Sequence, residues 1–193
     1  PYRQLRFRSA PVADLDTTSD RVVRAGTFSK LLGPGLRTGW LVAPPWLHKI
    51  AVRARWNADQ HPNLVTQRAI WEVVANRERY DSIVNLARST YGRRAETLHA
   101  ALSERLGDRL EAPLPDGGLF LWARIQDADI TAVLATARTL GLNFSAGPGF
   151  SPDPTSQAHR SFARFAYSSV PESDLVVAAE RFADAVDRAP QTK

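Results

Sequence analysis

The chain contains no cysteine and no methionine, and only three of its 25 basic residues are lysines: Lys30, Lys49 and Lys193. Without cysteine there is no disulfide framework, no thiolate metal site and no cysteine nucleophile, which fits a reducing, cytoplasmic setting. No apolar run approaches the roughly 18–20 residues of a membrane helix, and no charged-then-apolar leader precedes a cleavage site. Neither membrane insertion nor secretion is therefore expected. Internal repeats and low-complexity tracts are also lacking. The 22 arginines are scattered, with Arg93-Arg94 the only adjacent pair. The net charge of +5 thus reads as a solvated surface, not a nucleic-acid stripe. What is present, 193 residues at 44% hydrophobic and 23% charged, is the composition of an ordinary globular protein. The length suits one domain, or one domain and part of another. The chain opens Pro-Tyr-Arg with no initiator methionine, so it is expected to be the tail of a longer polypeptide, a processed product or a truncation.

Residues 1–20 read as loop and a short extended piece. A β-rich run from Val22 ends at Gly26, and a second, Trp40 to Ala43, stops at Pro44-Pro45. Gly and Pro between them force turns. A helix is expected from Pro45, carrying Leu47, Ile50, Ala51 and Ala54 at helical spacing. A second follows His61-Pro62-Asn63, and a long amphipathic helix runs from about Tyr80 to Leu106, ended by Gly107. Short strands at 109–112 and Leu119–Ala123 come next. After them are expected a helix from Asp129 to Leu140, a strand from Leu142 to Ser145, an extended Phe162–Tyr167 and a closing helix from Glu172 to about Asp187. Trp40 and Trp122 lie in the strand-like runs and read as core. Two strands and two helices cannot enclose a core, so 1–77 is expected to pack on something outside this sequence.

Lys30 sits in the Gly/Pro-bounded turn between the first two strands, with hydroxyls at Thr27 and Ser29 and a guanidinium at Arg37. That set suits a phosphorylated aldehyde cofactor. The amine can condense with an aldehyde, hydroxyls donate to phosphate oxygens, and arginine adds bidentate contacts that lysine cannot. The spacing by itself equally fits a surface loop with a solvated lysine. Gly-x4-Gly-Lys-[Ser/Thr] is absent, and Gly33-Pro34-Gly35 lacks the third glycine of a dinucleotide fingerprint. His48, His61, His99 and His159 have no metal-ligand spacing and read as surface or cap residues, so no metal is expected. A Gly-x-Ser-x-Gly elbow is absent as well.

The segment Gly26-Thr27-Phe28-Ser29-Lys30-Leu31-Leu32-Gly33-Pro34-Gly35-Leu36-Arg37-Thr38-Gly39-Trp40 resembles the cofactor-lysine segment of class I/II aminotransferases of fold type I. These depend on pyridoxal 5′-phosphate (PLP). The resemblance extends to Pro1–Phe7, Gly117–Trp122, Gly147–Phe150 and Arg164–Tyr167, essentially the whole chain. It is greatest towards the 2-aminoadipate and kynurenine aminotransferase branch, whose sequence is shared by the aminotransferase-like domains of MocR/GntR-type transcription regulators. It implies an α/β fold type I PLP-dependent transferase, with 1–77 the end of the large cofactor domain and 78–193 the small C-terminal domain. Lys30 would bind the cofactor aldehyde and carry the proton between substrate Cα and cofactor C4′. Thr27, Ser29 and Arg37 would hold the phosphate, Tyr2 would hydrogen-bond the ring 3′-oxygen, and Arg164 would bind the substrate α-carboxylate, with Arg160 as a competitor for that role.

The same resemblance implies amino acid and 2-oxo acid substrates and a homodimer when intact. The family's aspartate for the pyridine nitrogen falls before Pro1, as do the ring-stacking aromatic and most of the parallel sheet. This stretch by itself is therefore not expected to transaminate, and its exposed sheet edge is expected to seek a partner chain or self-associate. The alternative to an enzyme is the PLP-binding effector domain of a MocR-type regulator. A solely structural fragment is a third reading.

Overall fold

A computed structural model describes residues 2–10, 12–153 and 155–190. The chain forms two compact units, the first ending at Arg88 and the second beginning at Ser89.

In the first unit, β1 (Arg24–Thr27) and β2 (Gly39–Val42) form an antiparallel pair that places Gly26 opposite Trp40 and Thr27 opposite Gly39. The two glycines are there for close approach. A Cβ on Gly26 would lie 2.2 Å from the Trp40 indole, and one on Gly39 would lie 2.6 Å from the Gly26 carbonyl oxygen. Trp40 is thus half-buried against the backbone of the neighbouring strand, with Arg24 over its ring at 5.0 Å. Helix α1 (Pro45–Asp59) starts at a proline pre-set for the first turn. Helix α2 (Leu64–Val74) is capped by Asn63, whose side chain accepts from the Thr66 N–H. The apolar face expected of α1 exists but is uncovered: no α1 residue is buried, and Ile50 is 59% exposed.

Helix α3 (Arg77–Leu106) begins one turn earlier than the periodicity predicts, at an N-terminus where the Asn76 side chain accepts from the Arg79 N–H. It ends where Gly107 turns to φ +55°. Its N-terminal part belongs to the first unit and its remainder to the second.

The second unit is a four-stranded antiparallel sheet, in the order β3 (Leu110–Glu111), β4 (Phe120–Ile125), β6 (Phe162–Ala166), β5 (Ser145–Ala146). It carries α4 (Ile130–Thr139) and α5 (Glu172–Arg188). Alternation divides the sheet. Leu121, Ala123, Ile125, Ala163 and Phe165 are buried, and Phe165 meets Phe182 of α5 edge-on at 4.8 Å. The opposite face carries Phe120, Trp122, Phe162 and Arg164. Strand β5 begins at Ser145, where the sequence pattern starts it at Leu142. The Leu142 N–H is taken by the Ala137 carbonyl at the end of α4, so it cannot join the ladder.

Asp129 ties α4 to the sheet. One carboxylate oxygen accepts from the Thr131 and Ala132 N–H groups at 3.0 and 3.5 Å, and the other accepts from Arg160 at 2.9 Å. Burial pushes the pKa of this carboxyl up, but the hydrogen bonds from Arg160, Thr131 and Ala132, with the Arg160 charge, outweigh it and hold the pKa below its ordinary value. A depressed folded pKa stabilises the fold above the unfolded value, near 4, and that share is lost as pH falls through the folded value. Asp129→Ala should therefore cost about 1–2 kcal/mol at pH 7, and the gap to the native chain in urea unfolding should narrow on acidification. An equal cost at all pH values would contradict this account.

Candidate functional site

The turn between β1 and β2 is built around one carbonyl. The Phe28 oxygen accepts from the N–H groups of Leu31, Leu32 and Gly33, while the Phe28 N–H donates to Thr38 at 3.1 Å. This winds Ser29–Leu32 into a tight coil beyond the end of β1, with Lys30 half-buried on it. Thr27 locks the entry. Its hydroxyl donates to Ser29 Oγ at 3.0 Å and accepts from the Ser29 N–H at 3.1 Å. Two hydroxyls and a backbone amide thus converge one residue before the amine. The stretch from Gly26 to Trp40 contains two cations, Lys30 and Arg37, and no acidic residue.

Arg37 is held on the same turn in the left-handed conformation, φ 47°. Its guanidinium donates to the Pro34 carbonyl at 3.3 Å, so the structure places it within the turn but not on the Thr27–Ser29 pair. Tyr2 precedes a 3-10 turn (Arg3–Leu5), its carbonyl accepting from the Leu5 N–H at 2.9 Å, and its side chain is 38% exposed. A cavity of about 220 Å³ borders the turn, lined among others by Asp14, Arg24, Gly26, Thr27 and Trp40. On its wall Asp14 bridges Arg3 at 2.6 Å and Arg24 at 2.8 Å. Pairing of Asp14 with two arginines was not legible in the sequence.

Arg164 lies in the second unit, on the sheet face away from α5, directly across from Trp122 on β4 and Ser145 on β5. Nη2 donates to Ser145 Oγ at 3.3 Å. The guanidinium carbon sits 4.2 Å from the Phe120 ring centre and 4.5 Å from that of Phe150, in the 3-10 turn Gly147–Phe150. Arg160, the competing arginine, is committed to Asp129. His159, read as a surface or cap residue, is instead half-buried in an aromatic cluster, edge-on to Trp122 and Phe162 at 5.7 and 5.6 Å. His99 likewise has an inside partner, the Ala112 carbonyl at 2.8 Å. Among the described residues no cluster of His, Asp and Glu could hold a metal ion, and no helix is long and apolar enough to cross a membrane.

The side chains at the first turn fit a phosphorylated aldehyde: a primary amine and two hydroxyls, with no carboxylate in the turn to repel a phosphate. Comparison with known proteins agrees with this chemistry. The family described as aminotransferase class I and II matches residues 2–182. Aromatic-amino-acid aminotransferase 1 of Thermococcus litoralis is 29% identical over 193 positions, covering 96% of this chain and 44% of its own length. The probable rhizopine catabolism regulatory protein MocR of Rhizobium meliloti is 32% identical over 145 positions, covering 74% of this chain and 29% of its own length. Among solved structures, Pyrococcus horikoshii kynurenine aminotransferase in complex with PMP superposes with a TM-score of 0.86 at 26% identity, over 97% of this chain and 46% of that one. The chain thus spans less than half the length of these relatives.

Proposed function

The chain belongs to the class I and II aminotransferases, and from that premise we propose that it is the C-terminal part of a PLP-dependent enzyme moving an amino group between an α-amino acid and a 2-oxo acid. In this reading 1–77 completes the large cofactor domain, 78–193 is the small domain, and the intact protein is a cytoplasmic homodimer of amino acid metabolism. The observation that carries the reading is Lys30 placed just after the Thr27–Ser29 hydroxyl pair on a turn free of acidic residues.

Bound PLP supplies an electron sink for charge developing at the substrate Cα. Lys30 Nζ anchors the cofactor and moves the proton at Cα. Thr27 and Ser29 hold the phosphate. Arg37 joins them by giving up a single hydrogen bond to a neutral acceptor, the Pro34 carbonyl, for a doubly charged partner. Tyr2 hydrogen-bonds the ring 3′-oxygen, and Arg164 fixes the α-carboxylate, so that the Cα–H bond is held in one orientation.

Borohydride reduction of the intact protein with PLP, followed by digestion and mass spectrometry, tests this. Lys49 lies exposed on α1 and serves as the internal control. The phosphopyridoxyl group should be found on Lys30 with Lys49 unmodified, and equal labelling of the two would refute the assignment. The likeness to MocR favours a second reading, a PLP-binding effector domain of a transcription regulator. A DNA-binding domain encoded upstream, together with cofactor binding and no turnover, would decide for it.

A further inference from the structure

Among the described residues Arg164 has no ion pair, although it is half-buried. Its Nε is one of two buried side-chain nitrogens there without a hydrogen-bond partner, the other being His159 Nδ1. What holds it is aromatic. Phe120 and Phe150 lie within cation–π distance, at 4.2 and 4.5 Å, and Ser145 takes one Nη2 hydrogen. Leaving a buried N–H unpaired is unfavourable, so the single hydrogen bond to Ser145 does not by itself account for where the side chain sits. Phe150 is itself fixed edge-on to Trp122 at 5.5 Å, and Trp122 stacks on Phe162 at 5.3 Å.

From this we infer that Phe120 and Phe150 are positioning residues that orient the Arg164 guanidinium for a carboxylate without neutralising it. The inference rests on the reading of Arg164 as the α-carboxylate site. An acidic partner would orient an arginine equally well, as Asp129 does for Arg160, but it would take up the charge and the paired donors that a substrate carboxylate needs. Phenyl faces attract the cation through the ring quadrupole and offer no competing acceptor. They also occupy space within 4.2 and 4.5 Å of the guanidinium carbon, which leaves an anion to approach along a free N–H edge, the geometry of a bidentate pair. The origin of the arrangement is topological. Phe120 and Arg164 share a sheet face through the β4–β6 register, and the turn at Gly147 is pressed so closely on β6 that a Cβ there would lie 2.7 Å from the Phe162 oxygen.

The test is the Arg164 Nε–H signal of the full 193-residue chain in 15N-resolved NMR, assigned by its loss in Arg164→Lys, with sodium pyruvate as the carboxylate probe. In the native chain the signal should carry a ring-current shift and move on pyruvate addition. Phe120→Leu and Phe150→Leu, which keep apolar volume but lose the ring, should each reduce that shift and weaken pyruvate binding several-fold, the double variant about tenfold or more. Phe150→Tyr should restore both. Backbone amide spectra matching the native chain exclude misfolding as the cause. Native pyruvate affinity in the double leucine variant would overturn the clamp. A ring-shifted Arg164 signal that pyruvate moves in no variant would instead overturn the carboxylate assignment on which the clamp depends.

Discussion

Replacing Lys30 by alanine in the intact protein is expected to lower amino-group transfer by at least about 10³-fold. A positioned general acid–base group alone contributes about 10²–10⁴-fold, and the same amine is also the anchoring nucleophile. The informative companion is Lys30→Arg. Arginine keeps the positive charge on the same turn, but its guanidinium stays protonated at any working pH and can neither attack a carbonyl nor accept a proton. If Lys30 served only to attract phosphate, the arginine variant would retain most of the activity. If it serves as nucleophile and base, both variants fall together. Neither change should unsettle the fold. Lys30 makes no ion pair among the described residues, and the turn is held by the Phe28 carbonyl and the Thr27–Ser29 pair, not by the lysine. The thermal midpoint should therefore stay within the shift expected of about 0.5 kcal/mol, the usual size for a substitution outside the core. Activity of Lys30→Arg above a tenth of the native value would refute the role.

Why the turn at Lys30 was legible in the sequence and the setting of Arg164 was not is a matter of contact range. The Lys30 turn is local: glycines, prolines and hydroxyls within a few residues dictate its hydrogen bonds, so the types and order of residues carry the information. Even there the reach was limited, since Arg37 could be placed on the turn but its Pro34 partner could not. Long helices were legible for the same reason. In the apolar stripe of α3, Val84, Leu98 and Leu102 are buried, as its period requires, and Ala87 and Tyr91 are half-buried. Helix α1 has a stripe too, yet Ile50 is largely exposed, because periodicity reports that a face is apolar and says nothing of what covers it. Arg164 depends on three separate placements: the β4–β6 register, the β5–β6 register and the turn Gly147–Phe150. Alternation along β4 puts Phe120 and Trp122 on one face, but only strand pairing brings Ser145 and Arg164 together. His159 shows the converse, a polar residue in a Pro/Ser/Asp loop that tertiary packing draws against Trp122 and Phe162.

Arg164→Leu in the intact protein should lower kcat/KM for an α-amino acid by about 30- to 5,000-fold, the span of 2–5 kcal/mol measured when one member of a buried, hydrogen-bonded charge pair is removed. The loss should divide between the two constants. The carboxylate contact exists in the ground state as well as the transition state, so KM rises. The contact also fixes the direction of the substrate Cα–H bond, and misplacing a reacting group by about 1 Å can cost about 10²-fold in rate, so kcat falls as well. A lysine at 164 retains the charge but loses the planar pair of donors, and it should recover part of KM and little of kcat. The decisive comparison uses a substrate pair, an α-amino acid and the primary amine that lacks only its carboxylate. The native protein should discriminate strongly between them, because binding the amine leaves an unneutralised guanidinium facing no anion. Arg164→Leu has no such cation and should treat the two nearly alike. Arg160, tied to Asp129 in an ion pair at 2.9 Å, offers the control: its replacement should destabilise α4 and leave that discrimination intact. Were Arg160→Leu the variant that lost discrimination, the carboxylate site would belong to it, and the orphaned Nε of Arg164 would be a packing compromise.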